Sequence, residues 1–466
     1  MKRFFKIIMI SSAVLIIQSC GITKTYERPE VANETAFRAD SIQTDTITIA
    51  NYEWSNLFTD EILNGYINEA LTNNFDVQIA LKNLQIAEAY IKQAKASFAP
   101  STSIDVSGGV SSPALNSQTG SFFSERTQVN DIQIGASFSW EIDIWGKLRS
   151  QKKAAVARYM QTNSFVNLVK SDIVAAVASQ YYTLLSLDSQ REILLSTIEN
   201  RILSVETIKA LKEAGTTTEV AVKQNEALLF TAQGLLIDIE NQIKVVENGL
   251  SILLGKSPGT IERTKLENQE IPIELKTGVP IQLLANRPDV VAAEYNLINA
   301  FEISNAARAS MFPALSIGAS GGLNSANFTN LFSLNSLFAN LVGNLTQPLF
   351  NRRALKTQKE VAATEQEIAM LEYQQTVLES YQEVSDALYS YKANAEKLNL
   401  KEQENEAYLD AIEYSEELLS QGMANYLEVL IAKENVLNVQ LNIVQLQLNK
   451  LISAVKLYKS LGGGWR

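Results

Sequence analysis

The sequence contains the stretch KLRSQKKAAVARYMQTNSFVNLVKSDIVAAVASQYYTLLSLDSQREILLSTIENRILSVETIKALKEA at residues 147–214, 68 positions without glycine or proline. A second such stretch of 70 positions covers residues 352–421, and the two end at Gly215 and Gly422. A helix of this length spans about 100 Å at about 1.5 Å per residue. A compact globule of 466 residues is only about 60 Å across. The two stretches therefore predict an elongated, mainly helical protein.

Short motifs recur along the chain at a nearly constant spacing. The matching pairs are ASFAP at 96–100 with ASMFP at 309–313, SGG at 107–109 with 320–322, Asp76 with Asp289, and Gly215 with Gly422. The first three pairs are 213 residues apart and the last is 207 residues apart, which indicates an internal duplication. Each copy has the order helix, strand, strand, helix, helix. We expect a first repeat at 61–260, a second at 261–461, and a short tail at 462–466.

Four segments carry strand patterns, at 101–112, 131–145, 314–323 and 338–350. In the second segment, apolar residues occupy the even positions from Ile132 to Ile144, a period of two that predicts one apolar and one polar face. Half of a soluble sheet is one explanation. Alternation over about ten residues with Trp140 and Trp145 near one end is also typical of outer-membrane strands. Four strands cannot close a pore alone, whereas a trimer supplies twelve.

The N-terminus has the pattern of an export signal. Residues 1–19 join the basic Lys2, Arg3 and Lys6 to an apolar core. Cys20 follows directly and is the only cysteine of the chain, so no intrachain disulfide is possible. Its position predicts lipidation, with residues 20–60 as a lipid-anchored tether. An ordinary signal peptide with an incidental cysteine is the alternative.

Composition excludes several kinds of function. The formal charge of −11 argues against nucleic-acid binding, which needs a basic surface. The chain has no histidine, so metal sites of the usual His/Cys type and Ser/His or Cys/His nucleophiles are excluded. We therefore expect no enzyme activity, catalytic residue, metal or other cofactor. The last helix carries a heptad pattern typical of a coiled coil, at Leu437, Leu441, Val444, Leu448, Leu451, Val455 and Tyr458. A structural periplasmic coiled coil without a pore therefore stays open as an alternative.

Four motifs carry a family resemblance: LANRPDV at 284–290, AARASMFP at 306–313, WEIDIWGK at 140–147 and QPLFN at 347–351. They resemble the TolC-like outer-membrane factors, and with the lipoprotein signal they resemble the efflux-associated lipoprotein (NodT-type) branch. The resemblance implies a homotrimer in the bacterial outer membrane, with a twelve-stranded barrel of four strands per chain. The barrel would continue into a long α-helical coiled-coil tunnel in the periplasm.

The same resemblance implies the role and the partners. The duct would be the passive exit of a tripartite efflux pump for drugs or other small molecules. Its partners would be a periplasmic adaptor, a proton-driven (RND-type) inner-membrane transporter and outer-membrane lipid. The exit duct of an ATP-driven type I secretion system is the alternative function.

The turns between the long helices would then form the periplasmic tip. The resemblance assigns gating and adaptor contact to these turns, with candidates at Gly215, Glu219, Gly422, Asn425, Tyr426 and Glu428. Three copies of Glu428 near one axis would favour cations, although an ordinary helix-surface glutamate explains the residue as well. We also expect Tyr426 and Glu428 to help hold the closed state. Arg287 and Asp289 are interpreted as a structural helix start, since an acidic residue in the first turn favours a helix.

Overall fold

The computed structural model describes residues 22–30, 48–118, 120–269 and 283–466. The predicted signal peptide and Cys20 lie outside these ranges. The chain divides into two compact units. The first, here the sheet unit, comprises the described residues within 1–29, 85–161 and 294–372, and the second, here the hairpin unit, comprises the described residues within 30–84, 162–293 and 373–466. In the part of the chain that the structure describes, no helix combines the length and apolar character that crossing a membrane requires.

Helices dominate the described ranges. They are α1 (Trp54–Leu57), α2 (Glu61–Asn73), α3 (Phe75–Ala96), α4 (Lys147–Glu213), α5 (Glu219–Leu253), α6 (Leu283–Asn286), α7 (Pro288–Ala309), α8 (Ala354–Ser420) and α9 (Tyr426–Ser460). Helices α4 and α8 each contain 67 residues and coincide with the two stretches free of glycine and proline. On α9 the predicted heptad positions are buried, except for Leu441, which is half-buried.

The single helix predicted to open the first repeat is two helices, α2 and α3, separated at Asn74. The Asn74 backbone is extended, with φ −61° and ψ 133°, so α2 cannot continue through it. Its side-chain oxygen accepts a hydrogen bond from the Asp76 amide at 2.8 Å, which starts α3 as an N-cap. The side-chain amide of Asn74 also donates a hydrogen bond to the Leu253 carbonyl at 3.0 Å. The second repeat has the same interruption at Arg287, between α6 and α7.

Four antiparallel strands form the sheet, in the order β1 (Ser101–Ser111), β2 (Val129–Ile142), β3 (Ala314–Ser325) and β4 (Leu337–Thr346). Strand β2 ends three residues before the predicted end at 145. There the Asp143 carboxylate accepts hydrogen bonds from the backbone amides of Leu148 and Arg149, both at 3.0 Å. A side chain that caps α4 in this way cannot continue the alternation of a strand.

The sheet has one apolar and one polar face, as the alternation predicts. The paired positions Ile134–Leu323, Phe138–Ala319 and Trp140–Ile317 lie in the apolar rows. Serine, asparagine and glycine fill most of the opposite rows. Among the described residues the two edges of the sheet are unpaired, because β1 pairs only with β2 and β4 only with β3. Open edges of 11 and 10 residues are templates for pairing with another strand.

A buried carboxylate organises one end of the hairpin unit. Asp60, 8% exposed, caps α2 by accepting from the amide of Ile62 at 2.9 Å. Its other oxygen accepts from the hydroxyls of Tyr181 at 2.8 Å and Thr264 at 2.5 Å, and from the Gln269 side-chain amide at 2.8 Å. Burial opposes ionisation, but these hydrogen bonds together hold the pKa of Asp60 below its usual value. The carboxylate therefore joins three separate chain segments.

Arg287 is the counterpart of Asn74 in the second repeat and makes the corresponding contact to a carbonyl. Only 6% of it is exposed, and its guanidinium pairs with Asp289 at 2.5 Å and with Glu383 at 2.7 Å. It also donates to the Ser460 carbonyl at 3.0 Å, as Asn74 does to Leu253 in the first repeat. Residues 253 and 460 are 207 positions apart, so the contact recurs with the duplication. The predicted helix start is thus also a connection to α8 and α9.

The predicted tail and tether differ from simple extended ends. Residues 461–464 are buried, and the Gly463 carbonyl accepts from the Ser171 hydroxyl at 2.5 Å. Upstream of α2, Phe58 is 1% exposed and packs edge-on against Tyr182 and Tyr458. Residues 48–60 therefore contribute several buried side chains to the hairpin-unit core, whereas 31–47 lie outside the described residues.

Residues 22–29 of the described N-terminal segment lie along α7 in the sheet unit. The Asn305 side chain both accepts from the Lys24 amide and donates to the Lys24 carbonyl, each at 3.0 Å. Arg28 pairs with Glu294, which is 8% exposed. A buried carboxylate needs such a partner, so this segment neutralises a charge on α7.

Candidate functional site

The two helical turns are built alike. Gly215 and Gly422 have φ angles of 76° and 72°, in the left-handed region that favours glycine. The Gly215 amide donates to the Lys212 carbonyl at 2.9 Å and the Thr216 amide to the Leu211 carbonyl at 3.0 Å. The second turn repeats both bonds. This pattern is the Schellman motif, so both glycines end their helices by geometry.

The residues after each glycine start the next helix. The Thr218 hydroxyl accepts from the Ala221 amide, and the Asn425 side chain accepts from the Leu427 amide at 3.2 Å. Both are residues that commonly cap helices. Of the predicted site residues, Asn425 therefore has a definite structural role, and Tyr426 and Glu428 lie in the first turn of α9.

Tyr426 connects the two helix hairpins, α4–α5 and α8–α9. Its hydroxyl donates to the Asn225 side-chain oxygen on α5 at 3.0 Å, and Asn225 is only 4% exposed. Asn225 in turn donates to the Ala221 carbonyl at 2.8 Å, which fixes its orientation. Burial raises the pKa of Tyr426 above its ordinary value, although the bond to Asn225 opposes this, so the phenol stays neutral at physiological pH.

A second polar contact joins the two helix hairpins further from the turns. Arg201 on α4 is bonded both to Glu434 on α9 and to the Leu228 carbonyl on α5. Its side chain is 13% exposed, so the charge is largely removed from solvent. One arginine thus holds three helices, and its loss leaves buried groups without partners.

A groove of about 1510 Å³ is lined by residues of these contacts and of the turns. It lies within the hairpin unit, and its walls come from the parts of α4, α8 and α9 nearest the turns. The lining is mixed, with Leu203, Leu211 and Leu409 beside Ser204, Thr207 and Ser420. Tyr426 and Asn425 contribute to one end. A channel of this size accommodates an elongated, partly apolar element.

The two acidic candidates differ in their surroundings. Glu219 lies 2.5 Å from Lys212 and 3.8 Å from Lys223, and the hydrogen bond and charge of Lys212 lower its pKa. Glu428 is exposed, and among the described residues its carboxylate has no ion-pair partner. Of the two, Glu428 alone keeps an uncompensated charge at the turns.

Sequence reasoning found the turns but not their partners. Asn225 and Arg201 lie inside their helices, beyond the capping positions, where a polar residue is ordinarily part of a solvated face. The only local signal was an asparagine at a position with helical apolar spacing, between Val222 and Ala232. Within the described ranges, no cluster of acidic, histidine or cysteine side chains is suited to a metal ion.

The family of the chain follows from comparison with known proteins. The model of the outer membrane efflux protein family matches residues 66–256 and 279–463, so the chain belongs to that family. It is 27% identical over 460 residues to the solvent efflux pump outer membrane protein SrpC of Pseudomonas putida, covering 97% of each chain. It is 24% identical over 470 residues to the probable outer membrane lipoprotein SilC of Salmonella typhimurium, covering 99% of each.

The fold is also that of a solved channel. The open-state MtrE outer membrane channel of Neisseria gonorrhoeae superposes with a TM-score of 0.85 at 23% identity, covering 96% of this chain and 99% of that one. The predicted fold class, mainly helical with four strands per chain, is confirmed. The protein is an outer-membrane component of an efflux pump, located in the bacterial outer membrane and extending into the periplasm. The family is one of channels and not of enzymes, and the relatives favour efflux over secretion.

Proposed function

We propose that three copies of this chain assemble into the passive exit duct of a tripartite efflux pump. The open edges of β1 and β4 carry the proposal, because the sheet has one apolar face and cannot close within one chain. Twelve strands from three copies suffice for a water-filled barrel. The helices α4, α5, α8 and α9 of each copy would form the wall of the periplasmic tunnel.

The groove beside the turns is the proposed adaptor site. It is elongated, partly apolar and next to Asn425, which suits a helical hairpin from a periplasmic adaptor. The energy would come from a proton-driven (RND-type) transporter in the inner membrane. A photoreactive residue at Asn425, followed by mass spectrometry of captured and co-purified proteins, tests this. An adaptor with a proton-driven transporter supports the proposal, an adaptor with an ATP-driven transporter favours secretion, and no adaptor overturns it.

Lipidation of Cys20 is the proposed mode of anchoring. The described segment begins two residues later, at Ile22, and Thr23 lies against Gly146, where β2 leads into α4. The described segment therefore begins near one end of the strands. Mass spectrometry of the mature N-terminus decides the question, since an unmodified cysteine or cleavage elsewhere contradicts it.

The bond between Tyr426 and Asn225 is proposed to hold the closed tip. Replacing Tyr426 with Phe removes one hydroxyl and should weaken the closed state by about 1 kcal/mol. We expect more frequent and longer openings in planar-bilayer recordings of the purified channel. Tyr414→Phe is the matched control, because Tyr414 is 64% exposed. Identical gating of wild type and Tyr426→Phe would refute the role.

Glu428 is proposed to form a ring of three carboxylates at the periplasmic mouth. Glu428→Ala should reduce the preference for cations over anions, measured as a shift in reversal potential across a salt gradient. Glu428→Asp should retain the preference. Glu219→Ala should have a smaller effect, since Lys212 already compensates that charge. Unchanged selectivity and conductance in Glu428→Ala would exclude the ring.

A further inference from the structure

The two strand hairpins of the sheet unit are related by the duplication, residue by residue. Ser103 of β1 pairs with Ser137 of β2. Adding 213 to the first number and 207 to the second gives Ser316 and Asn344, which are paired in β3 and β4. The offsets between the repeats therefore hold through both hairpins, and each hairpin has the same register.

The two hairpins meet at an internal seam, where β2 pairs with β3. There Ser137 lies opposite Ser320, Phe138 opposite Ala319, and Ile134 opposite Leu323. In a closed assembly of identical chains, β4 of one copy lies next to β1 of another. That second seam also joins the later strand of one hairpin to the earlier strand of the next hairpin.

We propose that the seam between copies uses the register of the internal seam. The inference rests on the trimeric assembly proposed above. Applying the offsets to β2–β3 places Asn344 opposite Ser107 of the next copy. The same operation places Leu345 opposite Val106 and Leu341 opposite Val110. The partner that completes each open edge is thus a second copy of this chain, in a single stated alignment.

The side chains at the two edges fit this alignment. The apolar residues that it brings together are each highly exposed in the single chain: Leu345 67%, Val106 71%, Leu341 79% and Val110 67%. The register keeps all four on the apolar face, and Asn344 and Ser107 on the polar face. Cross-strand apolar pairs of this kind stabilise a sheet, and a shift by one residue would place apolar residues opposite polar ones.

A glycine supplies an independent indication. At the internal seam Gly322 lies opposite Gly135, and a Cβ on Gly322 would lie only 2.2 Å from the Ile134 carbonyl oxygen. Its counterpart in β1 is Gly109. In the part of the chain that the structure describes, no atom lies within 4 Å of a Cβ on Gly109, so no described contact requires glycine there. In the proposed seam, the strand of the next copy would crowd Gly109 as β2 crowds Gly322, and this crowding would require glycine.

Cysteine pairs test the register directly. Residues directly opposite in antiparallel strands have Cα atoms about 4.5–5.5 Å apart, within disulfide range, whereas diagonal neighbours are about 7–8 Å apart. The chain carrying Asn344→Cys and Ser107→Cys should oxidise to a covalent trimer on a denaturing gel. Asn344→Cys with Asp105→Cys, and Asn344→Cys with Gly109→Cys, shift the register by two residues and should not. A chain with only Cys20 gives the background.

The outcomes separate this inference from the assembly itself. Covalent trimers from a shifted pair overturn the register and leave the trimer intact. No crosslinking in any pair, with a trimeric native mass, also overturns the register. A monomeric native mass for the wild type overturns the proposed assembly.

As a second measurement, Gly109→Ala should lower the dissociation temperature of the trimer, while Gly343→Ala should not, because its counterpart in β2 is already Ala136. Equal effects of both variants would contradict the seam.

Discussion

Replacing Arg287 with Ala should destabilise the protein by about 3 kcal/mol, because it removes charge-assisted hydrogen bonds and leaves a buried carbonyl without its donor. The variant leaves Asp289 and Glu383 without their cation and the Ser460 carbonyl without its donor. We expect a lower apparent melting temperature of the purified protein in detergent, followed by circular dichroism at the helical bands.

A matched arginine provides the control. Arg191 pairs with Glu240 at 3.3 Å, with both side chains about half exposed. Exposed pairs contribute about 1 kcal/mol or less, so Arg191→Ala should melt close to the wild type. If the two variants melt at the same temperature, Arg287 is not the connection between α7, α8 and α9 that the geometry indicates.

Asp60→Asn is expected to have the second large effect, a loss of about 3 kcal/mol for disrupting a buried, charge-assisted network. The new amide would direct N–H groups toward three donors, Tyr181, Thr264 and Gln269. Asp76→Asn removes the same charge from the exposed first turn of α3 and should cost under about 1 kcal/mol. Chemical denaturation of both variants measures the difference, and equal midpoints would contradict it.

The same carboxylate predicts a pH dependence. Because the pKa of Asp60 is lower in the folded state than in the unfolded chain, its contribution is complete above the unfolded value of about 4. That contribution is lost as the pH falls through the folded pKa. Asp60→Asn should therefore lose less stability on acidification than the wild type does. An equal loss of unfolding free energy in the two proteins as the pH falls would contradict this.

The parts of the fold that sequence alone predicts are those with a local cause. Uninterrupted helix formers gave α4 and α8, alternation gave the faces of β2, and the two glycines gave the turns. The break at Asn74 was missed, since asparagine is compatible with a helix until its side chain finds the Leu253 carbonyl. That carbonyl lies 179 positions away along the chain.

The candidate site divides in the same way. The turn residues Gly215, Gly422 and Asn425 follow from helix-end chemistry, which is local. Their partners Asn225 and Arg201 depend on how two hairpins pack, and periodicity does not specify which polar residues meet across that contact. The gating and adaptor roles of the turn residues stay predictions until the recordings and crosslinks described above are made.

The recurring contact at the start of α3 and α7 is only partly the same in the two repeats. In the second repeat the position is Arg287, with Glu383 as an ionic partner. The first repeat has Asn74, and the residue 207 positions before Glu383 is Ala176. The hydrogen bond to a carbonyl is therefore the part of the contact that both copies share, while the ion pair with Glu383 belongs to the second copy alone.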